Sequence, residues 1–532
     1  MKLRHNKTFK PFIAVFLFFT VLLGISSADV SIPYTETKEL TSVVPTGSQV
    51  YYPSGTYYFT ETDLKVSARS IPMTWERTYR SNRVLKKSVQ WVFGEPADGP
   101  LGFGWMTPWF IRIEGDAFIN SEGRYFYFAK DSNGNYLPNM EAGYMLKKTA
   151  TGYELIETGT NTYTFDATGK LTSIKDTRGN TATLTYNTEN KLLSIKDITG
   201  RTIFTFTHNA SNRIASVTDI AGRTINYEYD TSGNLIKVST TQNSQPVTIS
   251  SYTYNNNHGI LTKANALQET YTIEYYPVWV DKGIAKRVID PVGTEMIKAG
   301  QQPTSHEMTF IYDFTNRVFY YTDYRGITYK SIMNDKGQIL SIDEVQNNQT
   351  IPVTKTEYLE NRTIKTTDPL GNVTTIQKDE WGNIIKKVDP EGNEWKYTYS
   401  QSKLLSITDP LGTITRYEYD SYGNRTKETL ASGTGDESVA TFIYNQYNEI
   451  ISMTRGSSSA YFSYSTAGNQ IEIKDPLGNI TAMAYDSAGN LLTRTQPLIG
   501  TTTYENYDFK GNPQKTTDPN GNITLYTYDF IV

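Results

Sequence analysis

Aspartate is the residue of this sequence whose placement could do chemistry. Seventeen times it stands three residues ahead of a glycine, as Asp-x-x-Gly. With 27 Asp and 38 Gly in 532 residues, chance would give about 2 such pairs. Six of them read Asp-Pro-x-Gly, at Asp290, Asp368, Asp389, Asp409, Asp475 and Asp518. Carboxylates in such number could pair as acid and base, or supply oxygen ligands to Ca²⁺. A turn accounts for them more simply. Asp at the first position of a type I turn accepts backbone N–H groups, Pro at the second presets φ, and Gly tolerates positive φ at the fourth. The residues expected to act in this structural way are Asp176 and Gly179, Asp219 and Gly222, Asp368, Pro369 and Gly371, Asp409, Pro410 and Gly412, Asp420 and Gly423, Asp475, Pro476 and Gly478, Asp486 and Gly489, and Asp518, Pro519 and Gly521.

Other chemistries find little support. Asp131-Ser132-Asn133-Gly134-Asn135 has some likeness to a calcium loop but lacks its downstream acidic ligand; a hairpin turn is the better reading. His208, His258 and His306 stand outside any metal-binding spacing. The chain has no Cys, which removes thiol nucleophiles and Cys-based metal centres. No Gly-x-Ser-x-Gly elbow marks a serine nucleophile. Gly102-Phe103-Gly104 lacks the rest of a phosphate loop, so packing of Phe103 and Trp105 is expected there. The sequence predicts no catalytic residue, no metal and no cofactor.

The elements that position these turns follow from their spacing. Asp176, Asp197 and Asp219 are 21 and 22 residues apart, and Asp368, Asp389 and Asp409 are 21 and 20 apart. A half-period of 11 separates Asp219 from Asp230, Asp368 from Asp379, Asp409 from Asp420, Asp475 from Asp486 and Asp518 from Asp529. Each half-unit is then one turn and one short strand. Side chains alternate accordingly. Thr415, Tyr417 and Tyr419 share one face, and Ile414, Arg416 and Glu418 the other. Ile225, Tyr227 and Tyr229 repeat the pattern, as do Thr524, Tyr526 and Tyr528. A face this rich in Tyr is expected to line something large and only partly dry, because each buried hydroxyl needs a partner. The fold class is all-β: an N-terminal β-domain, then a long antiparallel sheet of hairpin repeats stacked into one curved wall.

Five segments are read along the chain. Residues 1–28 form a cleavable signal peptide, with Lys2, Arg4, Lys7 and Lys10 before an apolar run at 12–25 and with Ser26-Ser27-Ala28 before the cut at Asp29. The run is short for a span, so no transmembrane helix is expected after cleavage. Residues 29–159 lack the repeat, hold Trp75, Trp91, Trp105 and Trp109, and read as a separate β-domain. Repeats cover 160–238 and 321–532. Between them, residues 239–320 are degenerate or inserted, with Asp290-Pro291-Val292-Gly293 and Tyr312-Asp313 keeping the pattern visible. Residues 431–438 read as a longer surface loop. Net charge is −4, and signal removal would take away four cations and no acid; nucleic acid is not expected as a partner.

Tyr419-Asp420-Ser421-Tyr422-Gly423-Asn424, Tyr485-Asp486-Ser487-Ala488-Gly489-Asn490, Asp368-Pro369-Leu370-Gly371-Asn372 and Asp475-Pro476-Leu477-Gly478-Asn479 resemble the Rhs/YD repeat of bacterial proteins. The resemblance recurs in register over about residues 160–532. Upstream, Thr60-Glu61-Thr62-Asp63-Leu64, Trp75-Glu76-Arg77-Thr78-Tyr79-Arg80-Ser81 and Gly102-Phe103-Gly104-Trp105 resemble the domain that commonly precedes such repeats. It implies a β-domain packed on or capping the first repeats, and a repeat sheet curling into a hollow, here incomplete, non-enzymatic shell enclosing or presenting a toxin for delivery or competition between cells. An adhesin binding carbohydrate or a partner cell is the alternative, and a secreted hydrolase a weak third. The implied location is secreted or cell-surface. The implied partners are a second shell chain, a C-terminal toxin cargo or a glycan. The sequence closes inside a repeat, at Tyr528-Asp529-Phe530-Ile531-Val532, without the family's core segment, autocleavage site or toxin. A truncated product or half of a split shell is the expectation, with an open strand edge that invites another chain or lowers solubility.

Overall fold

The computed structural model describes residues 50–528, except 52–54, 69–70, 72, 88–89, 95, 124, 140–142, 158–159, 243–244, 278–282, 336–337, 348, 401–402 and 509–510. Side chains at 51, 83–87 and 90–94 are likewise outside the description. The expected signal peptide, its cleavage point, Trp91's packing and Asp529 lie outside the described residues. The described residues all lie in one compact unit, within residues 46–532.

One antiparallel sheet of 35 strands runs from Tyr144–Lys148 to Ile523–Leu525, every strand beside its sequence neighbour. Its hairpins are built alike. At Asp475, Oδ1 accepts from Leu477 N and Asn479 N, and Oδ2 from Asn479 Nδ2 at 2.8 Å. Asp475 N then donates to Asn479 O, and Gly478 N to Asp475 O. Gly478 sits at φ +87°, the left-handed region. This explains the Asn after the Gly: its side chain closes the carboxylate's second oxygen. Asn replaces Asp at 187, 209, 255, 265 and 445 with the same main-chain pattern, and at 334, where Asn334 N donates to Gln338 O, because an amide oxygen accepts the same N–H groups. Thus residues 239–320, degenerate in sequence, still feed strands into the same sheet.

One motif departs from the repeat geometry. Asp290-Pro291-Val292-Gly293 does not make a hairpin turn but starts the helix Pro291–Lys298, with Asp290 as N-cap accepting from Gly293 N at 2.8 Å. Asp followed by Pro suits a helix start as well as a type I turn. Here the helix-compatible residues Glu295, Met296, Ile297 and Lys298 carry it on.

The two turn types lie on opposite rims. Asp-Pro turns such as Asp368, Asp389, Asp409, Asp475 and Asp518 share one; the turns that follow Tyr186, Tyr229, Tyr254, Tyr419, Tyr444, Tyr464, Tyr485 and Tyr507 share the other. The tyrosine before the turn has a specific partner. Tyr186 OH donates to Leu171 O (2.8 Å), Tyr229 OH to Ile214 O (2.7 Å), Tyr419 OH to Leu404 O (2.8 Å) and Tyr464 OH to Ile450 O (2.9 Å). Each acceptor is the first residue beyond the previous turn on that rim. The hydroxyls that seemed to ask for a wet cavity therefore brace neighbouring turns.

The sheet coils onto itself. Asn448 Nδ2 donates to Arg178 O at 2.8 Å, and Arg201 Nη2 to Ala467 O at 3.4 Å. Both contacts join turns 23 strands apart in sheet order. An odd offset is required, since one rim of the first coil meets the opposite rim of the second. At the next position, turn 219–223 and turn 486–490, the N-terminal domain completes the seam: Arg223 Nη2 donates to Lys65 O (2.7 Å), and Ser67 N to Ala488 O (3.1 Å).

The N-terminal domain holds a four-stranded sheet that includes Thr56–Val66 and Met73–Arg80, and a three-stranded one formed by Arg112–Glu114, Ala117–Ile119 and Tyr125–Tyr127. It meets one rim at Gly169 through Ile113, at Arg213 through Asp98, at His258 through Tyr79 and at Gly283 through Ser81. These points span roughly 50 Å of sheet contour at about 4.8 Å per strand. A domain of this size is only about 30 Å across, so it reaches all of them from the concave side.

Glycine substitutions test the seam. A Cβ on Gly478 would meet nothing within 4 Å, whereas one on Gly489 would lie 2.2 Å from the Ser67 side chain. Gly478→Ala is expected to cost about 1 kcal/mol from positive φ alone, and Gly489→Ala about 1–3 kcal/mol more from overpacking. Thermal unfolding of the two variants checks this; equal losses would mean that Ser67 does not sit in that seam.

Candidate functional site

The densest polar constellation joins the N-terminal domain to the concave face. Glu61 and Asp63 lie on Thr56–Val66, and Arg77 opposite them on Met73–Arg80. A register shift between Thr62 and Leu64 bulges Asp63 out of the ladder. Arg77, fully buried, spends every nitrogen: Nε on Asp63 Oδ2 (2.7 Å), Nη1 on Tyr252 OH (2.8 Å), and Nη2 on Glu61 Oε2 (2.6 Å), Asp63 Oδ1 (3.1 Å) and Ser250 Oγ (3.2 Å). From the wall, Tyr227 OH donates to Asp63 Oδ2 at 2.7 Å and accepts from Trp75 Nε1 at 2.8 Å. Lys263 Nζ pairs with Glu61 Oε1 at 2.9 Å and lies 4.1 Å from the Phe59 ring centroid.

Burial raises Glu61, but the charges of Arg77 and Lys263 outweigh it and hold the carboxyl down to about 2. Asp63 goes the other way: burial dominates the opposing pull of Arg77 and lifts it. Burial also pushes Tyr227 and Tyr252 far above the usual phenol range. Around the ions stand Trp75, Trp105, Phe59 and Tyr79, with Trp75 against Phe204 and Phe206 and Phe59 against Tyr252. With all three guanidinium nitrogens and both carboxylates engaged at close range, this cluster has the chemistry of a dock. It fixes a domain to a wall.

Of the residues picked out in the sequence, Asp176, Asp219, Asp368, Asp409, Asp420, Asp475, Asp486 and Asp518, with their partners Gly179, Gly222, Gly371, Gly412, Gly423, Gly478, Gly489 and Gly521, occupy hairpin turns on the two rims. They are distributed around the sheet instead of converging. Pro369, Pro410, Pro476 and Pro519 follow four of the aspartates. Asp131 makes the same turn, its Oδ1 accepting from Asn133 N and Asn135 N. The histidines stand apart. His258 stacks on Phe103 with centroids 3.6 Å apart, its Nδ1 2.7 Å from Asn234 Oδ1. His306 Nδ1 lies 2.8 Å from Asp290 Oδ2. His208 ends a strand, burial pulling its pKa down. Among the described residues no group of three or more His, Cys, Asp or Glu could hold a metal, and no helix is long and apolar enough to cross a membrane. Sequence reading missed the Arg77 cluster. Its signal was two acids in alternation, Glu61 and Asp63, facing one Arg in a Trp-rich β-domain.

The comparisons fit this architecture. Residues 47–128 match the family described as "Domain of unknown function (DUF6531)", 145–326 match "Teneurin YD-shell", and 400–434 and 464–498 match "RHS Repeat". The chain belongs to the Rhs/YD-repeat family. The shell match begins within the first strands of the long sheet, and the two Rhs segments each include Tyr-Asp turns of the braced rim. Similar solved structures include TcdB2-TccC3 without its hypervariable C-terminal region, at 11% identity and TM-score 0.44, over 87% of this chain and 29% of that one. Another is the Tc holotoxin pore of Photorhabdus luminescens, at 12% identity and TM-score 0.39, over 86% of this chain and 28% of that one. This Rhs/YD-repeat chain thus spans less than a third of their length. No curated protein matches.

Two variants probe the dock. Arg77→Met strands two buried carboxylates and is expected to cost about 3–5 kcal/mol, read as a lower unfolding temperature and proteolysis between the N-terminal domain and the repeats. Glu61 sits at about 2 in the folded chain against a usual 4.5, so its stabilisation is complete above pH 4.5 and is lost as pH falls towards 2. Asp63, raised, is relieved by protonation over its own range and partly offsets that loss. Glu61→Gln should therefore flatten the stability profile between pH 4.5 and 2. An unchanged acid limb would show that Glu61 is not held ionised by Arg77 and Lys263.

Proposed function

We propose that this protein is an exported, non-catalytic Rhs shell that encloses or presents a toxin polypeptide for delivery to another cell. The observation that carries this reading is the unequal cover of one continuous face. Where the N-terminal domain packs, the face is dry: Phe204, Tyr227 and Tyr252 are 0%, 5% and 3% exposed. Followed through the strand register, that face continues through Tyr358, Ile376, Trp395, Tyr397, Tyr417, Phe462 and Met483. Those residues are only half-buried. A concave aromatic wall of this extent, left part-open, suits a guest better than a reaction. The carboxylates are spent on turns and the histidines are dispersed, which also favours a scaffold over a hydrolase. Family membership supports export and a shell role.

A photocrosslinking amino acid distinguishes the two faces. Placed at Tyr417 on the concave face, in cells that make the protein, it is expected to capture one polypeptide that mass spectrometry identifies as a toxin. Placed at Glu418, on the opposite face, it is expected to capture none. Equal capture from both positions, or capture from Glu418 alone, would remove the enclosure reading.

A further inference from the structure

The uncovered half of the concave face differs in charge from the covered half. Across strands Val373–Lys378 to Leu491–Gln496, the register places Lys378, Lys387, Arg425, Arg455 and Arg494 on the concave side, with Glu428 as the acid among those ladder positions. Glu428 is shared by Arg425 (3.6 Å) and Arg455 (3.1 Å). Lys378, Lys387 and Arg494 have no ion-pair partner among the described residues, and Arg494 Nε is buried without a hydrogen bond. On the convex face of the same strands Lys386 pairs with Glu394 and Lys427 with Glu418, while Arg416 and Lys474, which have no ion-pair partner among the described residues, are exposed to solvent. Lys387 is exposed, but Lys378 and Arg494 are half-buried on a wall that is otherwise largely aromatic and aliphatic, and unpaired cations there are costly for the empty face.

We propose that this face receives an acidic polypeptide, whose carboxylates neutralise Lys378, Lys387 and Arg494 while its apolar side chains pack on Trp395, Tyr417, Phe462 and Met483. The inference rests on the shell reading above and adds the chemistry of the guest. Charge complementarity selects it. The protein as a whole is acidic, at −4, and its overall field favours a basic guest; the half-buried cations on this face favour an acidic one. The cations extend over eleven strand spacings from Lys378 to Arg494, about 50 Å of contour. That suits a chain lying along the wall and is too sparse for the phosphate density of nucleic acid. Aromatic and Met side chains accept apolar guest residues without demanding one sequence.

The test uses the full chain with the photocrosslinker at Tyr417 and three 20-residue probes, repeats of Glu-Phe-Ser-Leu, Lys-Phe-Ser-Leu and Gln-Phe-Ser-Leu. At low salt the acidic probe is expected to crosslink roughly tenfold more than the basic one, with the advantage falling to about twofold at 0.5 M NaCl. K387E combined with R494E should reverse the order, and K386E combined with K427E on the convex face should leave it unchanged. Should the charge reversals disturb folding, K387Q with R494Q should still abolish the acidic preference. Equal or greater capture of the basic probe by the parent protein overturns the inference while leaving the shell reading intact, since a guest would still be bound there. Capture of single-stranded DNA at the acidic probe's level also overturns it. Absence of any capture from Tyr417, with every probe, overturns the shell reading as well.

Discussion

A carboxylate closing its own turn is the interaction on which this structure depends. In turns such as those of Asp368, Asp420 and Asp475 the carboxylate accepts from two backbone amides and, through its second oxygen, from the Asn four residues on; at Asp197 and Asp219 an Arg takes the place of the Asn. That arrangement leaves little freedom in where a strand ends and the next begins. A bound carboxylate acceptor is stronger than a neutral one, and the left-handed Gly reverses the chain without strain. Repeated through the sheet, it fixes strand length, and strand length fixes the height of the wall. Tyrosine then ties many of the turns to their predecessors on one rim, as Tyr186, Tyr229 and Tyr419 do.

From that constraint the coil follows. A strongly twisted sheet cannot extend flat through 35 strands, and uniform strand height lets one coil's rim lie along the next. The contacts across the seam are few and polar: an Asn side chain on a turn carbonyl, an Arg on another, and a strand end at Ser67 inserted where the third would be. Turns that serve as local stops in the sequence thereby become long-range contacts. The outer rim of the second coil presents Leu370, Leu411 and Leu477, each more than 80% exposed, at the turn tips of Asp-Pro hairpins.

The N-terminal domain supplies what the repeats lack. Tyr-rich strands alone bury few large apolar groups in the second coil, where Leu404 and Phe442 are among the few buried ones. In the first coil, the Trp75, Trp105 and Phe59 cluster gives the wall an opposing core, and Arg77 sets its register through Glu61, Asp63, Tyr227 and Tyr252. The ion cluster fixes position and the aromatics supply the buried area, so one sheet has a dry half and a part-open half.

The sequence by itself determined the turns, the strands between them and the two faces, because those depend on neighbours in the chain: Asp475, Gly478 and Asn479 form their bonds within five residues. It also carried the family, through motifs recurring in register. Where local chemistry was degenerate it misled, as at Asp290, whose Asp-Pro start serves a turn or a helix until the following residues decide. Only the tertiary structure decided which stretch of the tyrosine face is dry, which turns meet across the seam, and that Glu61, Asp63 and Arg77 converge with Tyr252, some 175 residues away. Those depend on the summed twist of many strands and on a separate domain reaching across them, and no local pattern encodes a sum.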